Sequence, residues 1–502
     1  MKGVEDLKKR VAVLVMLMLI LVNLAGCAQK EKVEDVLRVA YTTDPQGLDP
    51  HRTAAVATFN ITGSIYDTLL AVTPDWEIEP RLAESYTISP DGMEITFNLR
   101  KGVKFHNGRE MKAQDVKFSF ERLKGEDSPK AGDYKNIDGI EVLDDYTIKF
   151  TTTNLDVELV KAFTYPWTAI VPAEAADTLQ TDPVGTGAYK FVQWIPQQQV
   201  KLTRNDEYFG EKAKIKDLEF ILIPDATSQL AALQVGDIHI TEITGNQVKT
   251  LSENPDLKVY TEPMNAVQIL ALNQENKALA DVRVRQAIAK AIDKDAIIET
   301  VVWGYGDKIG AHLPVNYPDY IDTNHVMPYD PEGAKKLLAE AGYADGLNLE
   351  LILPKSYQIH VDTGQIIADQ LSKVGINTDI KIIEWGQWLS DVYSGKQYEM
   401  TVVALSGRLD SYYFLKRYHS ESKDFISIPS GDIDELLEQS LKETDAAKRQ
   451  EIFHQIQMIL AERVPVVYIQ TPHKTFGLAK NVEGFRIYPI DIYEYQNVYF
   501  AK

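Results

Sequence analysis

Residues 349–383, LELILPKSYQIHVDTGQIIADQLSKVGINTDIKII, decide the fold. Residues 349–353 are an apolar, strand-like run, 362–373 carry a helical pattern, and 376–383 return to a strand, with Gly375 ending the helix. A strand–helix–strand unit sets its two strands side by side in parallel, so an α/β fold is expected. Downstream, residues 400–405 form another apolar strand. Two helices (432–442 and 445–460) then lead to a strand-like stretch at 465–469. Upstream, Asp330-Pro331-Glu332 reads as N-cap, N1 proline and acidic first turn of a helix that Gly342 closes. Val284, Ala287, Ile288, Ala291 and Ile292 form a second apolar stripe, and the stretch 233–238 reads as a helix end at Gly236 before a strand.

Toward the N-terminus, Leu37-Arg38-Val39-Ala40-Tyr41 alternates like a strand and breaks at Thr42-Thr43-Asp44-Pro45, followed by a turn at Leu48-Asp49-Pro50. Thr43 therefore sits at a strand's carboxyl end, where open α/β sheets bind ligands, and is a candidate binding residue. The spacing of Ile61, Ile65 and Leu69 predicts a helix over 53–70. Residues 79–150 read as a compact α/β insert. Ile95, Phe97 and Leu99 alternate after an Asp91-Gly92 turn, Val116, Ser119, Phe120 and Leu123 have helical spacing, and Tyr146, Ile148 and Phe150 alternate again.

Within that insert, Leu82-Ala83-Glu84-Ser85-Tyr86, Ser89-Pro90-Asp91-Gly92, the run from Phe97-Asn98-Leu99-Arg100 to His106-Asn107-Gly108, and Asp115-Val116-Lys117-Phe118-Ser119 stand in series. Together they resemble the signature of the family 5 extracellular solute-binding proteins, the peptide and nickel class of receptors that feed ABC importers. Gly185-Thr186-Gly187-Ala188-Tyr189 resembles the family's Gly-Thr-Gly-Pro-Tyr turn with alanine for proline, and the segment from Asn273 through Ala287 resembles the opening of its third domain. The resemblance implies a two-lobed, periplasmic-binding-protein-like α/β fold of the class II (cluster C) type with an extra α/β domain. The expected division is 36–75, 182–272 and 472–502 for lobe I, 76–181 for the extra domain, and 273–471 for lobe III. His106 is expected to be a packed structural residue.

The chain starts with a basic cluster (Lys8, Lys9, Arg10), an apolar run over 11–22, and Leu24-Ala25-Gly26-Cys27. The run is short of the roughly 18 apolar residues a spanning helix needs and has the layout of a signal peptide. Leu-Ala-Gly-Cys resembles the bacterial lipobox, which implies that residues 1–26 are removed and that Cys27, the only cysteine, carries a lipid anchor. Residues 27–35 then form a short tether. Without residues 1–26 the chain has 49 basic and 71 acidic residues, a balance of −22. A surface this acidic repels nucleic acid and anionic membrane. The expected location is extracytoplasmic, held to the cell membrane by lipid.

Searches for catalytic patterns fail: there is no His-Glu-x-x-His, no Gly-x-Ser-x-Gly elbow, no cysteine pair, and the nine histidines lack ligand spacing. Gly185-Thr186-Gly187 is not followed by the Lys-Ser/Thr ending of a phosphate loop. No enzyme, cofactor or metal site is expected. Binding candidates lie at strand ends. Arg408 and Asp410 follow the 400–405 strand; arginine offers a planar fork for a carboxylate and aspartate accepts from an ammonium, unless the two pair with each other or brace the loop. Trp385 and Trp388 are candidates for an apolar ligand wall or for ordinary interdomain packing. In many peptide binders of the family the corresponding segment reads Trp-x-x-Asp-Tyr-x-Asp-Pro, and its first aspartate takes the peptide's amino terminus. That position is Gly407 here, and Ser406-Gly407-Arg408-Leu409-Asp410 looks like the version in the glutathione-binding branch. The resemblance thus implies a monomeric receptor for short peptides or peptide-like solutes, partnered by an ABC permease and its ATPase subunits. A nickel or metallophore receptor and, from another class, an extracellular hydrolase are the alternatives.

Overall fold

The computed structural model describes residues 35–153, 159–426, 431–490 and 492–502. The expected signal segment, Cys27 and the tether up to Glu34 lie outside the described residues. Among the described residues no helix is long and apolar enough to cross a membrane.

The strand–helix–strand unit forms as its pattern dictates. Strands Leu347–Pro354 and Ile376–Ile383 pair in parallel from Leu347↔Ile376 to Pro354↔Ile383, joined by the helix Gln358–Ser372. The helix begins four residues before its expected start, because His360 and Val361 already face the core. Gly375, at φ +92°, makes the left-handed turn back into the sheet. This sheet continues through Met400–Ser406, parallel to Leu347–Pro354, and then Ala266–Leu272, antiparallel to Met400–Ser406. Ala266–Leu272 is buried along its whole length, with Leu270 and Leu272 in one core and Val267, Ile269 and Ala271 in the other. Helices therefore cover both faces of this sheet. The strand 266–272, expected in lobe I, is hydrogen-bonded to Met400–Ser406 on one side and to Val466–Gln470 on the other.

A second set of strands surrounds Val36–Tyr41, which is parallel to Asp217–Leu222; Gln199–Arg204 and Tyr189–Ile195 extend it antiparallel. The two sets share one long strand, Val466–Ala479. Its first residues, Val466 to Gln470, pair with Ala266–Leu272, and its later ones pair with Leu257–Pro263 and Ile240–Glu242. The strand expected over 465–469 runs on to Ala479, past Pro472, which cannot donate to a ladder. Here Pro472 falls where the strand changes partners, and its carbonyl accepts the Met264 N–H at 2.9 Å.

The insert is a four-stranded antiparallel sheet, ordered Ala83–Ile88, Glu94–Leu99, Thr147–Thr152, Ile137–Asp144, with the helix Ala113–Leu123 on its inner face. Phe97, Phe120, Phe150 and Phe163 meet there at ring separations of 4.8–5.8 Å. Arg122 of that helix grips the buried carboxylate of Asp49, tying the insert to the turn after the first strand. The expected 53–70 helix is shorter, Val56–Thr62, and Leu70–Val72 is a strand. The Ser64 and Ile65 carbonyls instead accept from Tyr189 and Gly187 N–H at 3.0 and 2.8 Å. A Cβ at Gly185 would lie 2.1 Å from the Ile65 oxygen, so the glycine turn exists to let these two backbones touch. His106 packs against the same turn, with Nε2 3.0 Å from the Gly187 carbonyl.

Candidate functional site

Two cavities open on either side of the end of strand Met400–Ser406 and meet at Ser406. The larger, about 710 Å³, lies between Glu242–Asn246 of the first strand set and the second sheet, with Pro472 and His473 of the shared strand at its back. Its wall is largely aromatic, formed by Trp303, Tyr305, Tyr357 and Trp385. Trp303 ends the helix Lys294–Val302 in the left-handed conformation, φ +54°, which leaves its ring half exposed at the cavity mouth. An atom added as Cβ to Gly245 would come within 3.0 Å of the Trp303 ring, so this ring reaches across to the first strand set. Two polar residues of the wall, His360 and Gln268, are buried and paired. The His360 Nε2 accepts the Ala404 N–H at 3.2 Å, its Nδ1 lies 3.1 Å from the Gln268 amide, and Gln470 bonds Gln268 at 2.7 Å. Burial lowers the His360 pKa to about 4, so its ring is neutral and Nε2 is free to accept.

The smaller cavity, about 480 Å³, separates the insert from the loop that follows Met400–Ser406. That loop is fixed from several directions. Gly407 N–H donates to the Asn265 carbonyl at 3.0 Å, and the Asn265 amide donates to the Gly407, Arg408 and Pro489 carbonyls at 3.4, 3.3 and 3.0 Å. The Tyr317 hydroxyl also donates to the Arg408 carbonyl. Leu409 N–H donates to the Tyr165 hydroxyl at 2.9 Å, and Tyr165 stacks on Trp167 at 4.5 Å, so the insert itself supports the loop.

The expected site residues separate on this frame. Arg408 lines the smaller cavity, its guanidinium 2.9 Å from Asp133 of the insert and facing the Tyr165 and Tyr413 rings at 5.9 Å each. Burial disfavours its charge, but the Asp133 carboxylate holds its pKa above the ordinary value. Asp410 reaches the same cavity yet is 3% exposed and committed: it accepts from Tyr412 N–H as the cap of helix Ser411–Leu415 and pairs with Arg449 at 3.1 and 3.4 Å. It therefore braces the loop and does not pair with Arg408. Trp385 lines the larger cavity, whereas Trp388, expected on the same wall, is 1% exposed behind it, stacked on Trp385 at 4.8 Å with its indole N–H on Thr401. Helical spacing of three residues puts one ring over the other. Thr43 is exposed in a bend and lines neither cavity. No carboxylate could stand at position 407, because a Cβ on Gly407 would lie 1.7 Å from the Phe414 ring.

Sequence reasoning missed Tyr165, Lys161, Lys416, Trp303, Tyr357 and His360 as lining residues. Gln268 is a polar break in an apolar strand that could have marked the cavity wall. Among the described residues no three His, Cys, Asp or Glu side chains converge to hold a metal ion.

Comparison with known proteins places this cleft in context. The family model for bacterial extracellular solute-binding proteins, family 5 middle, matches residues 77–425. The chain is 29% identical over 464 residues to di/tripeptide-binding protein 1 of Pseudomonas aeruginosa, covering 85% of this chain and 86% of that one. It is 30% identical over 475 residues to the glutathione-binding protein GsiB of Pectobacterium atrosepticum, covering 90% and 91%. The fold superimposes with a TM-score of 0.77 on DppA of Helicobacter pylori, an ABC transporter-associated periplasmic binding protein solved with the peptide STSA. That match has 28% identity and covers 93% of this chain and 98% of that one. The family comprises binding proteins of transport systems rather than enzymes. With more than half of its length matched by the family model, this chain belongs to the family 5 bacterial extracellular solute-binding proteins.

Proposed function

We propose that this protein captures short peptides or peptide-like solutes in the cleft that runs through Ser406 and delivers them to an ABC permease. The observation that carries the reading is the larger cavity, which lies at the two crossings between strand sets, beside Met264, Ala266, Pro472, His473 and Thr475, and adjoins the smaller one at Ser406. Two crossings of this kind form a hinge, and a solute that touches both lobes favours the closed arrangement by its differential affinity. Trp385 supplies apolar contact and Arg408 a charged fork, while Asp410 and Trp388 hold these two in place. Peptide ligands are named for the relatives above, which supports the same class here. Leu24-Ala25-Gly26-Cys27 supports export and lipid anchoring at Cys27.

A thermal-shift screen of the mature chain with di- to hexapeptides, glutathione and nickel chelates tests the reading. A true ligand at 100 times its Kd adds about 2.7 kcal/mol to stability. Stabilisation by nickel chelates alone, or turnover of a peptide by pure protein, would overturn it. For the anchor, Cys27→Ala should abolish acyl labelling and release the protein from the membrane fraction.

A further inference from the structure

The two halves of the cleft carry opposite charge. The aromatic cavity is lined by Asp362 and by Glu242, which Lys474 approaches at 3.5 Å from outside the lining, and by no lysine or arginine. The smaller one is lined by Lys135, Lys161, Arg408, Lys416 and Arg417 against Asp133 and Asp410, in a chain whose net charge is −20. The Asp410 charge is met from behind by Arg449, which does not line the cavity, and from within it by Lys161 at 3.5 Å, so Asp410 and Lys161 offer little to a solute and Arg408 and Lys416 carry the positive face. Arg408 has its guanidinium between two tyrosine rings, and Lys416 lies over the Tyr413 ring at 4.3 Å. Low-dielectric walls of this kind strengthen a charged hydrogen bond, and the five N–H donors of arginine exceed what Asp133 takes at 2.9 Å. Position 407, against the Phe414 ring, has no room for a carboxylate, and the two carboxylates that line this end, Asp133 and Asp410, are each met by a cation.

We infer that the cavity between the insert and the 406–410 loop is a carboxylate site, so that the solute lies across Ser406 with its anionic end against Arg408 and Lys416 and its ammonium end toward Glu242 and Asp362. This rests on the peptide reading above and specifies the direction in which the peptide is held. The class it selects is peptides with a free carboxylate at that end, glutathione included, over amidated or basic-tailed ones.

Isothermal titration of the intact mature chain tests this with di- to tetrapeptides as free acids, the same peptides as C-terminal amides, and glutathione. The free acids should bind at least about tenfold more tightly than the amides, a difference of about 1.4 kcal/mol. Arg408→Gln and Lys416→Gln should each shrink that ratio, and Arg408→Lys should keep most of it. Equal affinity for acid and amide overturns the inference while leaving peptide capture standing. So does an acid preference that survives both glutamine substitutions, because the carboxylate is then read elsewhere. No binding by any free acid overturns the inference and the peptide reading together. The acid-to-amide ratio is measured on the unmodified protein, so the test does not depend on whether a variant folds.

Discussion

Gly407, Arg408 and Asp410 are near neighbours with three different fates, each set by what packs against the side chain. Asp410 is buried with Arg449, which is itself only 10% exposed at its side chain. Removing one partner of such a pair leaves an uncompensated buried charge and costs about 3–5 kcal/mol. Asp410→Asn should therefore lower stability by about that amount in urea unfolding, with ligand affinity in the folded fraction little changed. A much larger loss of affinity than of stability would place Asp410 on the ligand. At Gly407 the obstacle is volume. Gly407→Asp has to displace the Phe414 ring, so it should destabilise the protein by about 1–3 kcal/mol without creating an amine site, as titration with N-acetylated and free peptides would show.

Among the elements, the long strand Val466–Ala479 and the Asn265 turn carry most of the consequence. One strand serves two strand sets, and the Asn265 amide, beside that crossing, ties it to the 406–410 loop through the Gly407 and Arg408 carbonyls and to Pro489 through a third. Asn265→Ala leaves those carbonyls to water or unpaired, at about 1–3 kcal/mol for the set. Hydrogen exchange at Leu409, whose N–H is held by Tyr165, should speed up in that variant while exchange in the Ala266–Leu272 ladder stays slow. Unchanged protection at Leu409 would show that the insert alone fixes the loop. Trp303 offers a second readout at this scale. Its half-exposed ring lies at the mouth between the lobes, so ligand addition should change tryptophan emission in the wild type, and Trp303→Phe should remove most of that change.

At the scale of the whole molecule, buried neutral histidines tie stability to pH. His51, His106 and His360 belong to the turn after the first strand, the insert and the cleft wall, and burial lowers each pKa from 6.5 to about 4. Each accordingly takes up its proton in the unfolded chain before it does so in the folded one. Their contribution is complete above pH 6.5 and is lost as pH falls toward 4, at about 1 kcal/mol per pH unit for each group across that window. Thermal denaturation between pH 7 and pH 4.5 should show a falling Tm. The slope should flatten in His51→Gln, whose ring lies between the Ala169 carbonyl and the Arg122–Asp49 pair. A Tm independent of pH across this range would contradict the buried neutral state.

Local pattern was enough for most of the elements, whereas the two-lobed architecture came from the family resemblance. Period-two and period-3.6 runs, the Asp330-Pro331 start, and the glycines at 236, 342 and 375 specify elements whose faces the fold then buries, because side-chain period and backbone punctuation are properties of a few adjacent residues. Arg408 and Trp385 were legible for the same reason, as residues just past strand ends. The remainder depended on contacts hundreds of residues apart. Ala266–Leu272 joins the second sheet because Met400–Ser406 and Val466–Ala479 flank it, and the 53–70 helix stops early because the 185–189 turn takes its carbonyls. Asp410 is neutralised at the cavity wall by Arg449 and Lys161, Trp388 sits behind Trp385, and the basic half of the cleft gathers lysines from distant segments around Arg408. Which groups share a cavity, and with what net charge, is set by how distant elements pack together, and no run of neighbouring residues encodes it.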